Sequence, residues 1–117
     1  MKFILRMLLS ALAVVLLANL LSGVQVDSFL IAVIVALVLS LLNFIVKPIL
    51  VIFTLPVTIL TFGLFLLVIN AGIILLADWL VTGFSVDNFW WALLFSLLLS
   101  FLQSLFFSAL KEPERTQ

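Results

Sequence analysis

The stretch from Leu42 to Asn70, LNFIVKPILVIFTLPVTILTFGLFLLVIN, places one lysine, Lys47, and two prolines, Pro48 and Pro56, inside otherwise apolar sequence. A proline removes a main-chain donor and restrains the residue before it, so Lys47-Pro48 and Leu55-Pro56 each predict a helix boundary. Two breaks so close together are expected at a membrane surface. Residues 48–54 would then lie in the interface or dip shallowly into the bilayer, because bare main-chain groups are not tolerated in lipid.

Outward from this insert, each flank reads as a helical hairpin. Apolar runs predict membrane-spanning helices at about 3–22, 29–46, 56–81 and 89–110, joined by polar turns at Gly23–Ser28 and Thr82–Asn88 and followed by a charged tail over 111–117. Each run is close to the ~20 residues a bilayer requires. The third exceeds it and is expected to tilt. The expected fold is a single all-α integral membrane domain, residues 1–117, with four transmembrane helices. The basic start and the Ser22-Gly23 ending of the first run also fit a cleaved secretory signal; its match to a retained later segment favours a spanning helix. Asp27 or Ser28 is expected to cap the second helix.

Composition excludes a soluble domain: 68% of the 117 residues are hydrophobic and 9% are charged, with a mean hydropathy of +1.58. The absence of cysteine and histidine removes thiols, disulfides, the commonest zinc ligands and the usual neutral-pH base. Five cationic and five acidic residues balance, without the basic patch that nucleic acid requires. The sequence carries no phosphate loop, nucleophile and base pair or metal signature, so neither an enzyme nor a cofactor is expected.

A shift of 60 residues superposes Gly23 on Gly83, Val26 on Val86, Asp27 on Asp87, Phe29 on Phe89, Ala32 on Ala92, Ser40 on Ser100 and Asn43 on Gln103, and upstream Ala11 on Ala71. This pattern predicts a duplicated hairpin with both copies facing the same way. Parallel copies put Lys2, Arg6, Lys47, Lys111 and Arg115 on one side. The positive-inside rule makes that side cytoplasmic, with both termini. Trp79, Trp90 and Trp91 then fall at the outer interface, where indole rings anchor, and Lys47 anchors the inner one.

Within the helices, Ala92, Ser96, Ser100, Ser104 and Ser108 form a ridge of small residues at every fourth position, echoed by Ala32, Ala36 and Ser40. Such a ridge suits close helix packing, with hydroxyls bonding across the contact, or a weakly polar pore wall in an oligomer. Asn70, near mid-membrane, is expected to bond to a neighbouring helix or subunit. Asp78 either reaches the outer interface beside Trp79 or forms an intramembrane ion or proton site. The expected partners are the lipid bilayer and further copies of the chain or other membrane proteins.

The series N43-x-x-x-K47-P48, T54-L55-P56-x-T58-x-L60-T61-x-G63-L64-F65, N70-A71 and G83-F84-x-V86-x-x-F89-W90 resembles the four-helix phage holin family 4, superfamily IV, also described as YvlD-like, over nearly the whole chain. The resemblance implies a bacterial inner-membrane protein with holin-like activity, assembling into lesions that let cell-wall hydrolases or solutes cross. An envelope protein with a structural or interaction role, linked to envelope stress and without a pore, is the alternative. The nearly neutral tail departs from the strongly charged tails of many phage holins.

Overall fold

A computed structural model describes residues 2–110; the 111–117 tail lies outside the described residues. The elements are α1 (Lys2–Leu20), β1 (Val24–Val26), α2 (Phe29–Phe53), α3 (Leu55–Leu60), α4 (Phe65–Leu80), β2 (Phe84–Val86) and α5 (Phe89–Leu110). Three helices, α1, α2 and α5, are long and apolar enough to cross a membrane, and α4 is a shorter apolar helix. α1 packs on α2 and α5, and α4 packs on the same two, so the four form a ring in which α1 opposes α4 and α2 opposes α5.

Pro48 lies inside α2 and does not break it. The expectation of a boundary there fails for a reason specific to lipid. A proline within the helix forfeits one main-chain bond, whereas ending the helix at Lys47 would strand the last four carbonyls away from water. α2 therefore runs on to Thr54, whose hydroxyl donates to the Leu50 carbonyl at 2.7 Å. Pro56 does mark a new start, in the first turn of α3.

The single third helix expected over 56–81 is divided into α3 and α4. Phe62 and Gly63 have φ of 55° and 87°. The Gly63 amide donates to Thr58 O at 2.8 Å and the Phe62 amide to Ile59 O at 3.1 Å, the paired bonds of a Schellman stop. The Thr61 hydroxyl then accepts from the Phe65 amide at 3.1 Å, opening α4. The apolar surface element consequently covers 55–64 rather than 48–54, with Ile59, Leu60 and Leu64 exposed and Phe62 96% exposed.

The two polar turns are not simple loops, which amends the all-α expectation. They form a two-stranded antiparallel ribbon with Val24 opposite Val86, Gln25 opposite Ser85 and Val26 opposite Phe84. The Asp27 amide donates to Gly83 O at 2.9 Å and the Asp87 amide to Gly23 O at 2.8 Å, so the ribbon is closed reciprocally at both ends. Ser28 caps α2 by accepting from the Ile31 amide, and Asn88 does the same for α5 through the Trp91 amide. The cap falls to Ser28 rather than Asp27.

Val24, Phe84 and Val86 turn inward and seal this end of the bundle. Below them lies a dry, apolar layer of Leu17, Val35 and Phe95, with Ala13, Ala32, Ala77 and Ala92 fully buried between helices. Phe84 packs on Phe95, ring centroids 5.8 Å apart. Gly23 sits directly against the Trp91 ring, in space that any Cβ would have to share. Gly23→Val is expected to destabilise the protein by about 1–3 kcal/mol, as overpacking does. Thermal unfolding in detergent should register this loss, and Trp91→Leu in the same chain should recover part of it.

Candidate functional site: a polar cavity at the lysine end

The ring of helices is closed at the ribbon and lined with polar groups towards the opposite end. A cavity of about 80 Å³ lies there, walled by α1, α2, α4 and α5. From α1 come Ser10 and Val14; from α2, Ala36, Leu39, Ser40, Asn43 and Lys47; from α4, Asn70, Ile73 and Ile74; from α5, Ser96, Leu99, Ser100 and Gln103. The space suits a few water molecules, and the polar wall provides their partners. Ser10 and Ser96 are buried, whereas Ser40, Asn43 and Ser100 are exposed, so the cavity communicates with the lysine end.

Most of this wall consists of residues 60 positions apart in sequence. Ser10 and Asn70, Val14 and Ile74, Ala36 and Ser96, Leu39 and Leu99, Ser40 and Ser100, and Asn43 and Gln103 all face it, leaving Ile73 and Lys47 without a lining counterpart.

The small-residue ridge changes character along its length. Ala32 and Ala92 are buried in the dry layer, Ala36, Ser40, Ser96 and Ser100 line the cavity, and Ser104 and Ser108 are exposed. A row of fourth residues drifts by about 40° per step around a helix with 3.6 residues per turn, so five members do not hold one face. The expected cross-helix hydroxyl bonds are also replaced. Ser40 Oγ donates to Ala36 O at 2.9 Å and Ser96 Oγ to Leu93 O at 2.8 Å, each within its own helix.

The side-chain bond that joins two of the helices runs from Gln103 Nε2 to Ser10 Oγ at 3.0 Å. Asn70, expected to bond to a neighbouring helix, makes no side-chain hydrogen bond among the described residues and faces the cavity. Lys47 is half-buried in the same wall rather than wholly turned to the headgroups. A second cavity of about 220 Å³ adjoins the first through Ser10, Ser40 and Gln103, and adds Arg6, whose guanidinium lies 5.1 Å from the Phe107 ring centroid.

Asp78 belongs to the other end. Its Oδ2 accepts from the Val86 amide at 3.0 Å, which ties α4 to the ribbon. Trp79 and Trp90 are exposed beside it, and Trp91 is half-buried against Gly23. Ser10 was not singled out from the sequence. Its signal was available, because the 60-residue shift that pairs Ala11 with Ala71 also pairs Ser10 with Asn70.

Residues 1–105 match the family model described as "Mycobacterial 4 TMS phage holin, superfamily IV". The chain belongs to this holin family. A relative from Bacillus subtilis, the uncharacterized membrane protein YvlD, is 37% identical over 115 residues, covering 97% of both chains. An uncharacterized protein of Streptomyces coelicolor is 47% identical over 72 residues, 58% of each chain. No solved structure matches. The holin-family chain is thus a membrane protein of several apolar helices, with a polar cavity in its ring of four.

Gln103→Leu removes the α5-to-α1 bond and should cost about 1 kcal/mol of stability in detergent, the usual scale for such bonds between membrane helices. Ser100→Ala, which breaks no side-chain bond, should stay within about 0.5 kcal/mol. Equal losses would mean that the Gln103 bond does not hold these helices together.

Proposed function

We propose that this holin-family protein is a self-contained unit of the bacterial inner membrane that binds through its polar cavity and does not itself form a channel. One observation carries the reading. The cavity is built from α1, α2, α4 and α5 of one chain and ends at the dry layer under the ribbon, so no polar path crosses a single copy. The hydroxyls, amides and single ammonium of its wall lack a carboxylate or imidazole to take a proton, so the role proposed is binding and not a reaction.

The same reading takes the chain as two hairpins, α1–α2 and α4–α5, duplicated and facing the same way. The reciprocal bonds of Asp27 and Asp87, the Gln25–Ser85 pair at the ribbon centre and the matched cavity residues support it, as do the equivalent caps Ser28 and Asn88. Charge supports an orientation. The described cations, Lys2, Arg6 and Lys47, lie at the open end, and Asp27, Asp78 and Asp87 at the ribbon end, so the open end and both termini are assigned to the cytoplasm. In this arrangement the exposed small residues Ser104 and Ser108 are left to contact partners in the envelope, lipid or protein, rather than a pore.

A permeabilising oligomer is the second reading, favoured by the family and by Ser104 and Ser108, which are exposed on α5 where another copy would pack. The two separate cleanly in cells. With the proposed unit, strong expression leaves the membrane potential intact, a cysteine replacing Asn43 reacts from the cytoplasm, and one replacing Gln25 reacts from the outside. Collapse of the potential, with timing altered by Ser104→Leu, would favour the oligomer instead; a cysteine at position 25 reached from the cytoplasm would overturn the orientation.

A further inference from the structure

We propose that the cavity at the lysine end receives an anionic phosphate group, held by the Lys47 ammonium with Asn43, Asn70 and Gln103 as neutral donors. This deepens the binding role proposed above and rests on it. The first argument is the sign of the charge. Lys47 lines the first cavity and Arg6 the adjoining one, and no carboxylate of the described residues lines either. The described acids, Asp27, Asp78 and Asp87, are at the far end of the bundle, where they do not offset the cations.

The second argument is the state of the donors. The Ser40 and Ser96 hydroxyls are already committed to carbonyls of their own helices. Asn43 and Asn70 make no side-chain hydrogen bond among the described residues, and Gln103 uses one amide hydrogen on Ser10 and retains the other. Amide N–H groups converging beside an ammonium offer donors suited to phosphate oxygens, and charge-assisted bonds are the stronger kind.

The third argument is position. Lys47 lies within the last two turns of α2, and Arg6 within the first two turns of α1, where a spanning helix meets the headgroup region. The adjoining cavity is walled in addition by Phe3, Met7 and Phe107, an apolar side beside a cationic one. That pairing matches a phospholipid, whose phosphate is joined through glycerol to apolar acyl chains. Free phosphate shares the headgroup chemistry and lacks the apolar part.

Thermal unfolding of the full chain, purified in neutral detergent and stripped of lipid, tests this. Phosphatidylglycerol should raise the midpoint by several degrees and diacylglycerol, which has the same apolar chains without the phosphate, should not. Lys47→Met should abolish the rise while Lys2→Met keeps it, and Asn70→Leu should weaken the apparent affinity about tenfold. A rise produced equally by inorganic phosphate, and lost in Lys47→Met, would support the phosphate site with the free ion as its source. Equal rises with both lipids, or equal losses in Lys2→Met and Lys47→Met, would overturn it. Native mass spectrometry of the unmutated chain supplies a reading independent of variant folding: retained phosphatidylglycerol is expected, and equal retention of diacylglycerol would contradict the site. Should phosphate binding fail while a cysteine at position 43 still reacts from the cytoplasm, the ligand assignment falls and the cavity's orientation stands.

Discussion

The main-chain bonds from Asp27 to Gly83 and from Asp87 to Gly23 decide how the molecule is arranged. Each polar turn leaves amides and carbonyls exposed at the end of an apolar hairpin, and each turn satisfies the other. Once the strands pair, four helix ends are brought to one place. Val24, Phe84 and Val86 fill the space beneath, and Phe95 completes a layer with no polar gap. Asp78 adds a further tie by accepting from the Val86 amide. Among the described residues nothing comparable binds the opposite ends, which are joined by the Thr54–Leu64 connection between α2 and α4 and by the Gln103–Ser10 bond between α5 and α1. A ring fastened tightly at one end and loosely at the other leaves the cavity enclosed by all four helices at the loose end.

The placement of polar groups follows the same division. Polar side chains inside a membrane are costly unless bonded or wetted. Ser40 and Ser96 meet that condition by bonding back to their own helices, while Asn43 and Asn70 face a cavity roomy enough for water. At the ribbon end the helices approach through Ala13, Ala32, Ala77 and Ala92, which need no such partners. The result is an apolar seal above a polar, cation-bearing vestibule. In the binding role we propose, that asymmetry separates this chain from a pore.

Much of this was legible in the sequence, and the failures have physical causes. The apolar runs revealed the helices because length and hydropathy alone determine what a bilayer accepts. Pro56 read correctly as a start, but Pro48 was misread as a break, because rules drawn from water overstate proline's cost where stopping a helix costs more. The ribbon escaped notice although G-V-Q-V-D and G-F-S-V-D alternate apolar and polar residues with a strand's period; three residues are too few to outweigh a turn. The small-residue row from Ala92 to Ser108 read as one face because a fourth-residue repeat ignores the helix's rotation. The cavity was hidden for a deeper reason: its wall draws on four helices, and only their packing brings Ser10, Lys47, Asn70 and Gln103 together.

Cross-linking across the ribbon tests the central claim most directly, that pairing of the two turns within one chain holds the halves together and shuts one end of the cavity. With Gln25→Cys and Ser85→Cys in the same chain, a short bifunctional thiol reagent should close an intramolecular bridge in membranes, while the protein still migrates as a single chain. Bridges that form only between chains, or none at all with both cysteines reactive, would contradict the account.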